Sequence, residues 1–310
     1  MDQRLLTSSP TKTSGFTLVE VLVAVTLTSL IVLALMAVFN GTQSAFRAGL
    51  TQIDVLESGR ETMDLIASDL RLMSPSLGAS NAPQGSMSQV PVNFYAGAPS
   101  ALPNQNLPLT QPLIPGGQQS RTYALENIFI LSLDNQTWTG VGYVVDVNSF
   151  PTNTLYRFSI STNATADPTA LFNIFISDCQ NFSSAAFSTN MSRLMDGVVE
   201  LRARAFDVNG GWMTNQIISS GSETTTNNNV YYLPPSSASA GETGFYMFSN
   251  TLPAAVEIEM GALEDRTLQH VESLPSSAQL TYLTGLDQAG KVHIFRQRVS
   301  IPNVDPSAYQ

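Results

Sequence analysis

SGFTLVEVLVAVTLTSLIVLALMAVF, residues 14–39, decides how this chain is organised. A polar leader gives way at Gly15–Phe16 to an apolar run that ends at Phe39 and carries one charge, Glu20. No Pro or Gly interrupts the run. Its 24 residues rise about 36 Å as a helix, against a hydrocarbon core of about 30 Å, so a membrane-spanning helix is expected. Arg4 and Lys12 precede the run, and the positive-inside rule puts the leader in the cytoplasm and the body across the membrane. A secretory signal peptide fits less well, because its apolar core is about 7–15 residues with small residues after it. Here the conspicuous small residue, Gly15, comes first. An uncleaved signal anchor is the remaining alternative.

A carboxylate in a membrane-length segment is costly without a partner, which marks Glu20 as functional. Two readings of it stand side by side. Thr17 and Glu20 match the capping box T-x-x-E, and a carboxylate in the first turn favours the helix dipole. The second reading rests on a resemblance. A cationic leader, a Gly, a Phe and a Glu at this offset resemble the N-terminal signal of type IV pilins and type II secretion pseudopilins. That resemblance implies cleavage by a prepilin peptidase between Gly15 and Phe16, which makes residues 1–15 the leader, and N-methylation of Phe16. It also implies that Glu20 pairs with the terminal amine of a neighbouring subunit during filament assembly. A buried carboxylate is tolerated when it is paired, and a secondary amine stays protonated near neutral pH.

The helical pattern continues past Phe39. Residues 40–73 are amphipathic, with Phe46, Leu50, Ile53, Leu56, Met63, Ile66 and Leu70 at largely helical spacings. One helix over residues 17–73 would run about 85 Å. A transmembrane half followed by a half that packs on a globular head is what the pilin resemblance implies. The segment ESGRETMDLIASDLR further resembles minor pilin W and pseudopilin J proteins, and the chain is also similar to the cassette C pilin-like proteins of Verrucomicrobia.

Residues 74–120 contain no Asp, Glu, Lys, Arg or His and hold eight of the 17 prolines. So much Pro argues against a long helix or central strand, so this segment is expected to be a loop that folding can dispense with. Beyond Arg121 the period is two. Strands are expected at 126–133, 140–147, 154–160, 198–206, 255–261 and about 291–299, with a turn at Asp207–Gly211 and polar loops at 214–229 and 234–243. The fold class is therefore α+β: a long N-terminal helix on a C-terminal antiparallel head spanning residues 121–310. The phrases MDGVVELRARAFDVNGGW, LPAAVEIEM and FRQRVSIPN are similar to J- and W-type heads.

Charge and chemistry narrow the function. The net charge is -10, and a chain starting at Phe16 would carry -11, because Asp2, Arg4 and Lys12 give the leader +1. An acidic body repels phosphate backbones, so no general nucleic-acid binding is expected. Arg202 with Arg204, and Arg296 with Arg298, have the alternate spacing of a strand's solvent face. Cys179 is the only cysteine, which excludes an intramolecular disulfide and reads as a small buried thiol. His270 and His293 lack a second ligand at metal spacing and read as surface or strand residues. Asp207 and Asn209 resemble a calcium loop only in part, and a hairpin turn explains them. No P-loop, nucleophile elbow or zincin motif occurs, so no catalytic residue, cofactor or metal is expected.

These readings favour a structural subunit, a minor pilin or pseudopilin used at low copy in a priming or tip complex. Its expected partners are a prepilin peptidase, other pilin subunits, an inner-membrane assembly platform and membrane lipid. Its expected place is the inner membrane, crossed once, with a periplasmic head. A signal-anchored extracytoplasmic binding domain is the alternative, and an anchored hydrolase is disfavoured by the missing motifs.

Overall fold

The computed structural model describes residues 15–78, 87–99, 107–113, 119–182, 189–213, 224–225, 229–233, 244–285 and 291–309. The leader before Gly15, most of both polar tracts and parts of the Pro-rich segment lie outside them. The chain divides into two compact units, Met1–Leu50 and Thr51–Gln310. Helix α1, Leu18–Arg71, is one 54-residue element. In the first unit every described side chain from Phe16 to Phe46 is exposed, and Leu18–Phe46 is long and apolar enough to cross a membrane.

The second unit is built on antiparallel sheet. Its strands are β1 (Val92–Gly97), β2 (Thr110–Pro112), β3 (Ser120–Thr122), β4 (Asn127–Asp134), β5 (Thr137–Val145), β6 (Leu155–Asn163) and β7 (Met191–Met195). They continue as β8 (Val198–Phe206), β9 (Thr224–Thr225), β10 (Val230–Leu233), β11 (Gly244–Phe248), β12 (Ala255–Leu263) and β13 (Val292–Ser300). Among the described residues they form an eight-stranded sheet in the order β7-β6-β5-β4-β1-β11-β10-β9, a three-stranded sheet β13-β12-β8, and the hairpin β2-β3. Shorter α-helices among the described residues include α2 (Thr169–Gln180), α3 (Asp265–Ser273) and α4 (Ser276–Leu283).

Alternation along the strands sorts the core into layers. Phe94, Ile128, Ile130 and Tyr143 of the large sheet and Leu201, Ile258 and Val299 of the small sheet share one apolar cluster with Met63, Ile66 and Leu70 of α1. Phe129, Val144 and Phe158 look the other way, onto Leu171, Phe172 and Phe175 of α2. Both faces of the large sheet are thus covered, which is why its central strands read as near-continuous apolar runs.

The helix stripe is buried only in part. Val55, Met63, Ile66 and Leu70 are buried, whereas Phe46, Ile53 and Leu56 are 67%, 56% and 39% exposed. The Leu50 side chain lies outside the described set. Gly59 permits a close approach: a Cβ built there would stand 2.2 Å from the Phe295 ring of β13. The absent side chain admits that ring.

The Pro-rich segment is not peripheral. Within it β1 lies between β4 and β11 in the large sheet, all six of its residues buried. Proline still obeys its rule, because the run VNFYAG contains none; Pro91 and Pro99 flank it. Buried Asn93 fastens the strand: its amide donates to the carbonyls of Ser249 (3.0 Å) and Thr251 (2.9 Å) and accepts the Ser76 N–H at 2.9 Å.

Candidate functional site

The N-terminal turn of α1 carries the residues singled out by sequence. Gly15 has open space around it, and Phe16 is 87% exposed. Thr17 and Glu20 form a reciprocal capping box. The Thr17 N–H and hydroxyl donate to Glu20 Oε2 at 2.8 and 2.9 Å, and the Glu20 N–H donates to Thr17 Oγ1 at 3.3 Å. This satisfies donors that a helix start would otherwise leave bare. Glu20 Oε1 accepts no hydrogen bond from a described residue, so the carboxylate retains a face for a further donor. The capping role is therefore present, and it leaves room for a second one.

Residues 10–36 match the prokaryotic N-terminal methylation motif. The match contains Gly15, Phe16 and Glu20 and supports a type IV pilin- or pseudopilin-type subunit in general. It implies dealings with a prepilin peptidase and with other pilin subunits, and together with the apolar helix it fits membrane anchoring. No curated protein and no solved structure matches the chain.

Elsewhere the structure revises one reading. Arg202 and Arg204 do not stand on a solvated face. Cross-strand register aligns Arg202, Glu259 and Arg296 in one row and Arg204, Glu257 and Arg298 in the next. Glu200 and Glu259 are buried, and Arg121 from β3 reaches both, at 2.6 and 2.5 Å. Arg296 adds a bond to Glu259 at 2.7 Å. Burial pushes the Glu200 carboxyl pKa up, against the pull of Arg121. Burial also acts upward on Glu259, but hydrogen bonds from Arg296 and Arg121 outweigh it and hold that pKa below the usual carboxylate value. The alternating charges are thus an interlocked network under the β2–β3 hairpin, built to hold two carboxylates out of water. Alternation alone cannot tell a face covered by a distant hairpin from a wet one.

The remaining candidates have local explanations. Asp207 Oδ1 accepts the N–H groups of Asn209 (2.9 Å) and Gly211 (2.6 Å), which makes the DVNGG stretch a turn closed by the Phe206–Trp212 bridge. His270 lies exposed on α3 with its ring 4.8 Å from that of Tyr282, and His293 sits half-buried on β13. Cys179 is half-buried on α2, where burial pushes its thiol pKa well up, leaving it a protonated, weak nucleophile.

Proposed function

We propose that this chain is a minor pilin or pseudopilin subunit used at low copy in the priming or tip complex of a type IV pilus or type II secretion-like filament. The observation that carries the reading is the N-terminal helix. Its membrane-length stretch is exposed on every side, it begins two residues after the Gly15–Phe16 junction, and its single carboxylate keeps one oxygen available. Cleavage after Gly15 creates an amine on Phe16, and its methylation yields a secondary amine that stays cationic. Glu20 Oε1 of a neighbouring subunit is the matching acceptor in the low-dielectric packing of a filament, where an unpaired carboxylate would not be tolerated. The first unit enters the membrane and then the filament, while the second unit is the extracytoplasmic head. The role is structural rather than catalytic. Low copy number suits a head this large, which would crowd a densely packed shaft.

Mass spectrometry of the N-terminus, on protein purified from a cell that has the peptidase, tests the proposal. A methylated Phe16 terminus is expected. Recovery of the chain from Met1 would favour the tethered binding domain instead.

A further inference from the structure

The large sheet and α2 border a partly open cavity of about 360 Å³, whose described lining includes Tyr95, Asn127, Val144, Ile176, Cys179 and Phe182. Strand register explains why it is there. Gly97 of β1 pairs with Asn127 of β4, and Val144 of β5 is the next step beyond the Ile128–Tyr143 pair. This row lies on the face that α2 covers, and Gly97 contributes no side chain to it. A Cβ at Gly97 would sit 2.8 Å from the Tyr95 hydroxyl oxygen, so the Tyr95 ring lies over the glycine. Tyr95 and Asn127 thereby converge on the same space.

Both residues are buried, at 4% and 5% exposure, and both line the cavity. A phenol and a carboxamide set in largely apolar walls are the few placed polar groups by which small-molecule pockets orient a ligand. The volume equals that of about a dozen waters at liquid density, and it falls within the usual range of small-molecule pockets. Val144, Val147, Ile176 and Phe182 give it apolar walls, and no charged side chain is among the described residues that line it. An ionic ligand would enter such a space without a counter-charge.

We propose that this cavity binds a small uncharged molecule that carries an amide or hydroxyl head on a compact aliphatic or aromatic body. The head exchanges hydrogen bonds with the Tyr95 hydroxyl and the Asn127 amide, which between them offer donors and acceptors. The body packs against Val144, Ile176 and Phe182, with the Cys179 thiol as a neutral part of the wall. The site is independent of the N-terminal helix, and the head would carry it whatever machine it joins.

The test uses the full chain in lipid nanodiscs and N-(para-fluorobenzyl)acetamide as probe, read by the fluorine NMR linewidth, with empty nanodiscs setting the baseline for lipid partition. Saturable broadening above that baseline, reversed by unlabelled N-benzylacetamide, is expected. Tyr95→Phe combined with Asn127→Leu should weaken binding about tenfold or more, since it removes both polar anchors. Tyr95→Phe alone, which keeps the ring, should give a smaller loss in the same direction. Thermal unfolding of each variant verifies the fold. Broadening no greater than in empty nanodiscs, or equal broadening in wild type and both variants, overturns the proposal.

Discussion

Asp69 ties α1 to the large sheet by charge, and its removal should be felt by the whole head. Arg157 grips both carboxylate oxygens, Nε to Oδ2 at 2.8 Å and Nη2 to Oδ1 at 3.0 Å, and the Tyr143 hydroxyl donates to Oδ2. The Asp69 side chain is 8% exposed and that of Arg157 24%. Asp69→Asn preserves the shape but withdraws the charge, leaving the guanidinium facing a neutral amide. Breaking a fully buried pair from one side costs roughly 3–5 kcal/mol. Water reaching the partly exposed Arg157 recovers some of this, so a loss of about 2–3 kcal/mol is expected. For a head of this size that is a fall in Tm of roughly 5–10 °C. Arg157→Met should cost a similar amount, because it strands the carboxylate. The double variant should lose clearly less than the sum, with a coupling of about 1–2 kcal/mol. Unfolding of the full chain in detergent can be followed through Trp138, which is buried in the cluster under α2. A Tm for Asp69→Asn within a degree of wild type, or a strictly additive cycle, would refute the reasoning.

Gly59→Ala should destabilise by about 1–3 kcal/mol despite a helix-propensity gain of up to about 1 kcal/mol, because its Cβ meets the Phe295 ring; in a Phe295→Ala background the same change should stabilise, as denaturant midpoints would report. The folded pKa of Glu259 is depressed, so its contribution to stability is complete above the unfolded carboxylate pKa of about 4.3 and is lost as pH falls through the lower folded value. Glu259→Gln should flatten that acid limb in a pH series of unfolding curves, and an unchanged limb counts against the network. Phe94→Ala in β1 should cost about 3–5 kcal/mol, since Phe94 is fully buried; a near-neutral result would return the Pro-rich segment to the periphery. Glu20→Gln should insert normally, because Gln also completes a capping box, while filament incorporation should fail nearly as badly as with Glu20→Val; normal incorporation would leave Glu20 a cap and nothing more.

Where periodicity is clean, sequence and structure agree closely. The expected strand at 198–206 coincides with β8, and the expected helix at 17–73 with α1 at Leu18–Arg71. Capping at Glu20 was equally legible, because T-x-x-E is a local pattern whose bonds lie within one turn. What escaped is what depends on distant partners. β1 is a six-residue run between prolines, and only its pairing with β4 and β11, up to 156 positions away at the Val92–Phe248 pair, makes it central. The stretch TALFNIFISDCQ reads as apolar without choosing between helix and strand until Phe175 meets Phe129 and Phe158. The cavity was invisible for the same reason, since Tyr95, Asn127, Val144 and Cys179 converge only through sheet register and the docking of α2.

The approach of Phe295 to Gly59, seen above as a matter of packing, also sets an order of events. Residues at the far end of the chain complete the seat of its second-unit helix: Phe295 lies against Gly59, and the Asn303 amide donates to the Met73 carbonyl at 2.8 Å. A chain emerging from its N-terminus first therefore holds a helix whose seat is incomplete until its closing strand arrives. Such long-range closure is slow by nature, and the intermediate exposes apolar surface. A chain truncated before β13 would leave the Gly59 side of its helix without the Phe295 ring that closes over it, which gives the last strand the part of a latch as well as that of a structural element.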